Sequence, residues 1–128
     1  MPDSSTDSST WLIEGELLES TGSCQSRLRI CSDSGTILER GDLDGTPDVV
    51  WPEGVLVCPG FIDIHVHCRD DPGGSQRHKE DYRSASEAAI HGGVVLLGDM
   101  PNNPDPPIDA DSYLRKRKLA DEKSLVDV

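Results

Sequence analysis

Apolar and polar positions change their rhythm once along the chain, at Pro59-Gly60. Before that point, short apolar runs are separated by turn residues. Trp11-Leu-Ile-Glu-Gly-Glu-Leu-Leu18 is a first strand candidate, and Ser26-Arg-Leu-Arg-Ile-Cys31, which alternates polar and apolar, is a second. Asp33-Ser-Gly35 reads as a turn that returns Thr36-Ile-Leu38 as a hairpin arm. Val49-Val-Trp51 and Val55-Leu-Val57 complete the set, with Pro52 and Gly54 as breakers between them. Residues 11–58 are therefore expected to form a small β module. Residues 1–10 are mostly Ser, Thr and Asp with almost nothing to bury, and are expected to be a disordered tail.

After Pro59-Gly60 strands and helices alternate. Residues 61–67 are a strand candidate, followed by a polar, Gly-rich loop from Arg69 to Arg77. Residues 80–91 read as a helix, with Tyr82, Ala85, Ala88 and Ala89 on one face at helical spacing and Gly92-Gly93 as the stop. Val94-Val-Leu-Leu97 is continuously apolar, the mark of a strand in a parallel sheet buried on both faces. A Pro- and Asn-rich loop runs from Met100 to Pro107, Asp111 to Lys123 reads as a second helix, and Ser124 to Val128 as the start of a third strand. Strands alternating with helices predict right-handed crossovers and a parallel sheet. Two and a half strands leave such a sheet with open edges. Residues 59–128 are thus expected to be the first two βα units and the beginning of a third strand of a larger, truncated α/β domain.

Composition agrees that the folding unit is incomplete. Apolar residues make up 34% of the 128 positions and aromatics 4%, little with which to offset conformational entropy. The net charge is -12, spread over both halves. That excess argues against a nucleic-acid-binding surface, which needs clustered positive charge, and against anionic membranes. No run approaches the roughly 18 apolar residues that span a bilayer. The opening Met-Pro-Asp-Ser-Ser is not a signal sequence, so a cytoplasmic location is expected. Cys24, Cys31, Cys58 and Cys68 contain no Cys-x-x-Cys pair and are expected to be free thiols.

The chemistry concentrates on the strand at 61–69. Side chains alternate between strand faces. Ile62, Ile64, Val66 and Cys68 fall on one face, and Phe61, Asp63, His65, His67 and Arg69 on the other. One face is apolar; the other grows polar toward its C-terminal end, the layout of a barrel strand that packs outward on helices and carries a site where strand ends meet βα loops. His65 and His67 point the same way, roughly 6.5–7 Å apart at Cβ, so their rings can converge on a metal ion of the zinc type. Catalytic zinc usually takes three protein ligands. His78 and His91 have no evident path to the site, so the remaining ligands are expected beyond residue 128.

Four motifs carry a resemblance. Cys58-Pro-Gly-Phe-Ile-Asp-Ile-His-Val-His-Cys-Arg69, His78-Lys-Glu-Asp81, Gly92-Gly93 and Asp99-Met-Pro-Asn-Asn-Pro104 occur in the order and near the spacing of the N-terminal part of a dihydroorotase, a zinc enzyme of the amidohydrolase superfamily. The likeness is strong over residues 55 to 107. Residues 11–54 resemble that family's small β-sandwich domain in general character. The resemblance implies a (β/α)8 TIM barrel holding one or two zinc ions. The implied reaction interconverts N-carbamoyl-L-aspartate and L-dihydroorotate, a small-molecule substrate pair of pyrimidine biosynthesis. It implies zinc ligation by His65 and His67, and substrate-carboxylate binding by Arg69, whose fork suits a carboxylate, and by Asn102. It also implies that the catalytic Asp lies on a later strand, so no catalytic residue is expected in this chain. The chain departs from the family pattern at Asp70-Asp71-Pro72-Gly73, where Arg69 is usually followed by Glu-Pro-Gly, and at Asn103, where Thr is common.

Each residue has a plainer reading. Arg69 fits a loop arginine paired with Asp70 or Asp71, and Asn102 fits a turn cap beside Pro101. Asp63 either orients a ligand ring or is a buried hydrogen-bonding carboxylate. Arg115-Lys-Arg-Lys118 reads as a solvated helix face. Hydantoinase- and allantoinase-type hydrolases are alternatives with the same metal chemistry. A non-catalytic assembly module is another, and homo-oligomerisation is open. With two ligands, the isolated chain is expected to be inactive.

Overall fold

The structure is a computed structural model that describes residues 9–128. Residues 1–8 of the expected tail lie outside the described residues. Ser9 and Thr10 do not behave as a tail: the Ser32 amide donates to the Ser9 carbonyl at 2.7 Å, and Thr10 opens the first strand. The chain divides into two compact units, Met1–Pro59 and Gly60–Val128.

The first unit is a mixed five-stranded sheet. Strands β1 (Thr10–Glu19) and β2 (Gly22–Cys31) form a long antiparallel hairpin around the two-residue turn Ser20-Thr21. The second strand therefore starts four residues earlier than its polar–apolar alternation shows, because the hairpin register extends pairing into Gly22-Ser-Cys-Gln25. Strand β3 (Ile37–Gly41) pairs antiparallel with β2. Two short strands, β4 (Val49–Val50) and β5 (Leu56–Val57), lie parallel on the other edge of β1. The register places Glu14 opposite Arg27 and Arg29 opposite Glu39, and both pairs close as ion pairs at 2.6 and 2.7 Å. Leu12 and Leu17 are its buried large side chains.

The second unit runs β6 (Phe61–Val66), α1 (Tyr82–His91), β7 (Val94–Asp99) and α2 (Ala110–Lys123). Strands β6 and β7 are parallel neighbours. The residues after α2 add one parallel bridge, Leu96 to Asp127, with the Leu97 amide donating to the Asp127 carbonyl at 2.8 Å. Both helices start at an Asp–Ser capping box. Asp81 accepts from the Ser84 amide at 2.9 Å and Asp109 from the Ser112 amide at 2.8 Å. Helix α1 thus begins at Tyr82 and not at Glu80. Asp81 is its cap, outside the helix, and its first turn holds no acid. The buried face of α1 is Tyr82, Ser86 and Ala89, while Ala88 is exposed. Ser86 takes the expected place of Ala88 because its hydroxyl has partners, donating to the Arg83 carbonyl and accepting from the Leu125 amide.

The core of this unit is small: Cys68, Tyr82, Ala89, Leu97 and Ala120, with Val66, Val94, Leu119 and Val126 against it. It covers only the C-terminal end of the apolar face of β6. Ile62 and Ile64, expected to pack on helices, are 61% and 76% exposed.

Candidate metal strand and its loops

The site begins with an irregularity in β6. Its pairing with β7 slips between Asp63 and Val66. The His65 amide donates not to the ladder but to the Asp63 carboxylate, at 3.0 Å. Gly98 of β7 sits against the slip, where a Cβ would stand 2.8 Å from the Ile64 carbonyl oxygen. Only glycine lets the two backbones approach this closely. Asp63 is exposed, so it is not the buried carboxylate that its place low on the strand suggested, and it holds backbone in place of an imidazole ring.

Beyond the slip, His65 and His67 stand together. Their ring centroids are 5.4 Å apart and meet edge to face at 75°. His67 Nδ1 contacts Asn102 Oδ1 at 2.9 Å, across 35 residues of sequence. Three more bonds join the two loops there. The Met100 amide donates to the Val66 carbonyl at 2.8 Å and the Cys68 amide to Asp99 Oδ1 at 2.9 Å. Asn103 Nδ2 donates to the Asp70 carbonyl. The loop after β6 and the loop after β7 are therefore held together by these bonds, and the side chain of Asn102 meets a metal-ligand candidate. His78 and His91 are exposed and elsewhere.

Arg69 follows directly, with a φ of 58°, left-handed backbone that a non-glycine residue adopts only when its surroundings enforce it. Its neighbours are tied down on both sides. Buried Asp70 accepts from the Tyr82 amide at 3.2 Å and pairs with Lys123 at 2.7 Å. Asp71 caps the following turn through the Gly73 amide and the Ser75 hydroxyl. Neither aspartate takes Arg69 as a partner. The plainer reading of Arg69 as a loop arginine paired with them is thus excluded, and its guanidinium has no ion pair among the described residues.

Under the corner lies a charged cluster that sequence reasoning missed. Asp99, its side chain 4% exposed, accepts from the Cys68 amide and, through Oδ2, from the Tyr82 hydroxyl at 2.9 Å. Lys116 Nζ is 2.8 Å from Oδ2, an ion pair whose angle falls outside hydrogen-bond geometry. Burial, reinforced by the Asp99 charge, pushes the Cys68 thiol up to about 12 and the Tyr82 hydroxyl well above its ordinary value. Lys116 belongs to the basic run expected to be solvated. The signal for its burial was present: Ser112, Lys116 and Ala120 recur every fourth residue, and they are the buried stripe of α2.

Two imidazoles side by side at one strand end suit zinc in chemistry and direction. They make two ligands of the three that catalytic zinc takes. Among the described residues no group of three or more His, Cys, Asp or Glu side chains is placed to hold a metal ion. The four cysteines are free thiols. No described helix is long and apolar enough to cross a membrane.

Comparison with known proteins supplies the context for this strand. The dihydroorotase of Methanothermobacter thermautotrophicus is 42% identical over 97 residues, which are 74% of this chain and 22% of that protein. The Aquifex aeolicus dihydroorotase is 38% identical over the same shares. That of Pyrococcus furiosus is 28% identical over 116 residues, 91% of this chain and 27% of the relative. The chain is similar to the N-terminal portion of dihydroorotases. No family model matches. Among solved structures, an L-hydantoinase (dihydropyrimidinase) from Arthrobacter aurescens superposes with a TM-score of 0.74 at 23% identity, over 91% of this chain and 26% of that one. A D-hydantoinase does so with a TM-score of 0.71 at 28% identity, over 92% and 26%. The fold is that of the opening part of an amidohydrolase TIM barrel with its preceding β module. The chain spans about a quarter of the length of the relatives it matches.

Proposed function

We propose that this chain supplies the first metal-binding strand and a substrate loop of a dihydroorotase-type cyclic amide hydrolase. In this reading His65 and His67 ligate one or two zinc ions, with further ligands that the described residues do not provide. When bound, zinc supplies a Lewis acid and a nucleophile available near neutral pH. The chain's own residues bind and orient. Arg69 grips the carboxylate of N-carbamoyl-L-aspartate with its planar fork, and Asn102 donates an amide hydrogen to the same group. Asp63 keeps the His65 backbone at the slip in β6. The reaction is then a step of pyrimidine biosynthesis on a small soluble substrate in the cytoplasm. The observation that supports this most is the contact of His67 with Asn102, which joins two family motifs 35 residues apart at one strand end.

The test is a chimera in which this chain replaces the matching N-terminal portion of the Methanothermobacter enzyme. It is expected to hold zinc and to cyclise carbamoyl aspartate. His65→Ala and His67→Ala should each remove zinc and activity. Arg69→Ala deletes a charged hydrogen bond worth about 1.5–3 kcal/mol, so it should raise KM roughly 10- to 150-fold with zinc retained. The hydantoinase reading has the structural superposition behind it, and turnover of hydantoin in place of carbamoyl aspartate would establish it. A folded chimera without zinc or turnover would favour the assembly-module reading. The 128-residue chain alone, with two imidazoles, should bind zinc weakly and turn over neither substrate.

A further inference from the structure

A carbonyl oxygen can only accept a hydrogen bond. The 2.9 Å contact of His67 Nδ1 with Asn102 Oδ1 therefore requires the proton of neutral His67 to sit on Nδ1. That leaves Nε2 with its lone pair free. It also fixes the Asn102 side chain: with Oδ1 committed to the ring, Nδ2 is its remaining polar group, and Nδ2 can only donate. Asn102 is exposed, and no protein acceptor takes Nδ2 among the described residues. The backbone around it is held by its neighbours, through Met100 to Val66 and Asn103 to Asp70. The contact thus does not depend on a mobile loop reaching inward.

We propose that Asn102 is a positioning residue for His67: it locks the imidazole in the Nδ1–H tautomer, presenting Nε2 to a metal and leaving its own Nδ2 as a donor for an anionic substrate group. The two halves are linked through one amide. An imidazole that binds metal through Nε2 must carry its proton on Nδ1, so metal binding and amide orientation enforce each other. A donor-only face selects a carboxylate and rejects a neutral group that offers only hydrogens. The role rests on the reading of His67 as a ligand, but the tautomer is a property of the metal-free chain.

The experiment uses the full 128-residue chain labelled with nitrogen-15, at about pH 9, where imidazole is neutral. Ring nitrogen shifts report the tautomer of His67, with exposed His78 and His91 as controls in the same spectrum. His67 is expected to show a protonated Nδ1 and an unprotonated Nε2. Asn102→Asp keeps an acceptor and should keep that tautomer. Asn102→Ala should return His67 to the tautomer mixture of the controls, and in the chimera, which supplies the further ligands, zinc affinity measured by calorimetry should fall about 10- to 100-fold. A His67 that carries its proton on Nε2, or is unchanged in Asn102→Ala, overturns the proposal. If the tautomer is as expected but the folded chimera holds no zinc with Asn, Asp or Ala at position 102, the tautomer lock stands and the metal reading of His67 falls.

Discussion

Cys68 and Tyr82 show how far one buried carboxylate sets the chemistry of its neighbours. Both side chains are essentially solvent-free and both face Asp99. Burial and that negative charge each oppose a second anion, so both groups keep their protons in the folded chain far into the alkaline range. The consequence for stability has a definite sign. Between the ordinary thiol value of 9.0 and the folded value of about 12, the unfolded chain has released the Cys68 proton and the folded chain has not. The unfolded state then binds fewer protons, so stability falls as pH rises through that window, and Tyr82 adds to the fall from its own ordinary value upward. Melting temperature should hold up to about pH 9 and fall progressively as pH rises from there toward 12. In the same window a thiol reagent should label Cys24 and Cys58, both exposed, and Cys31, whose thiol is lowered by a hydrogen bond from Ser34. Cys68 should label only on unfolding. Rapid native labelling of all four would show that the corner at residues 68–70 opens, and the burial argument would fail.

Helix α2 separates what the sequence displayed from what it concealed. Its existence followed from spacing and composition, and its start is fixed by the Asp109–Ser112 cap. Its buried side was hidden because a lysine stands where an apolar residue is expected. Lys116 is read as solvated by charge and as buried by position, and position prevails because Asp99 waits beneath it at 2.8 Å. Four consecutive basic residues thus have two different energetic roles. Arg117 and Lys118 pair with Asp121 and Glu122 on the surface, at 3.7 and 3.8 Å, where such pairs contribute about 0–1 kcal/mol. Removing Lys116 leaves a buried carboxylate short of its countercharge, a loss of about 3–5 kcal/mol by analogy with other broken buried pairs. Urea unfolding should therefore place Lys116→Ala far below the parent chain and Arg117→Ala within error of it. Equal midpoints for the two variants would return Lys116 to the solvated face.

At the scale of the molecule, the alternation of β6 said which residues share a face but could not say what covers that face. Parity placed His65 and His67 together, and the rings do stand side by side. The same parity placed Ile62, Ile64, Val66 and Cys68 together, yet the helices reach only the last two. Local pattern specifies direction; burial depends on elements far away in sequence, and here on how little apolar surface two short helices offer. The slip at Asp63–Val66 and the left-handed Arg69 were equally invisible, since they arise from Gly98 pressing on β6 and from the stitching of two loops. What remains is an apolar strand whose second edge carries no partner among the described residues, with Phe61 60%, Ile62 61% and Ile64 76% exposed. Parallel strands are ordinarily covered on both faces, and an open apolar edge templates pairing with another chain. The 128-residue chain should consequently self-associate in sedimentation as its concentration rises, and bind a hydrophobic dye while folded. Ile64→Lys puts a charge at the centre of the exposed face without touching the buried residues of the unit. It should move the chain toward monomer and reduce dye binding, with the melting temperature nearly unchanged. A parent chain that sediments as a monomer at every concentration and binds no dye would mean that this face is covered in solution.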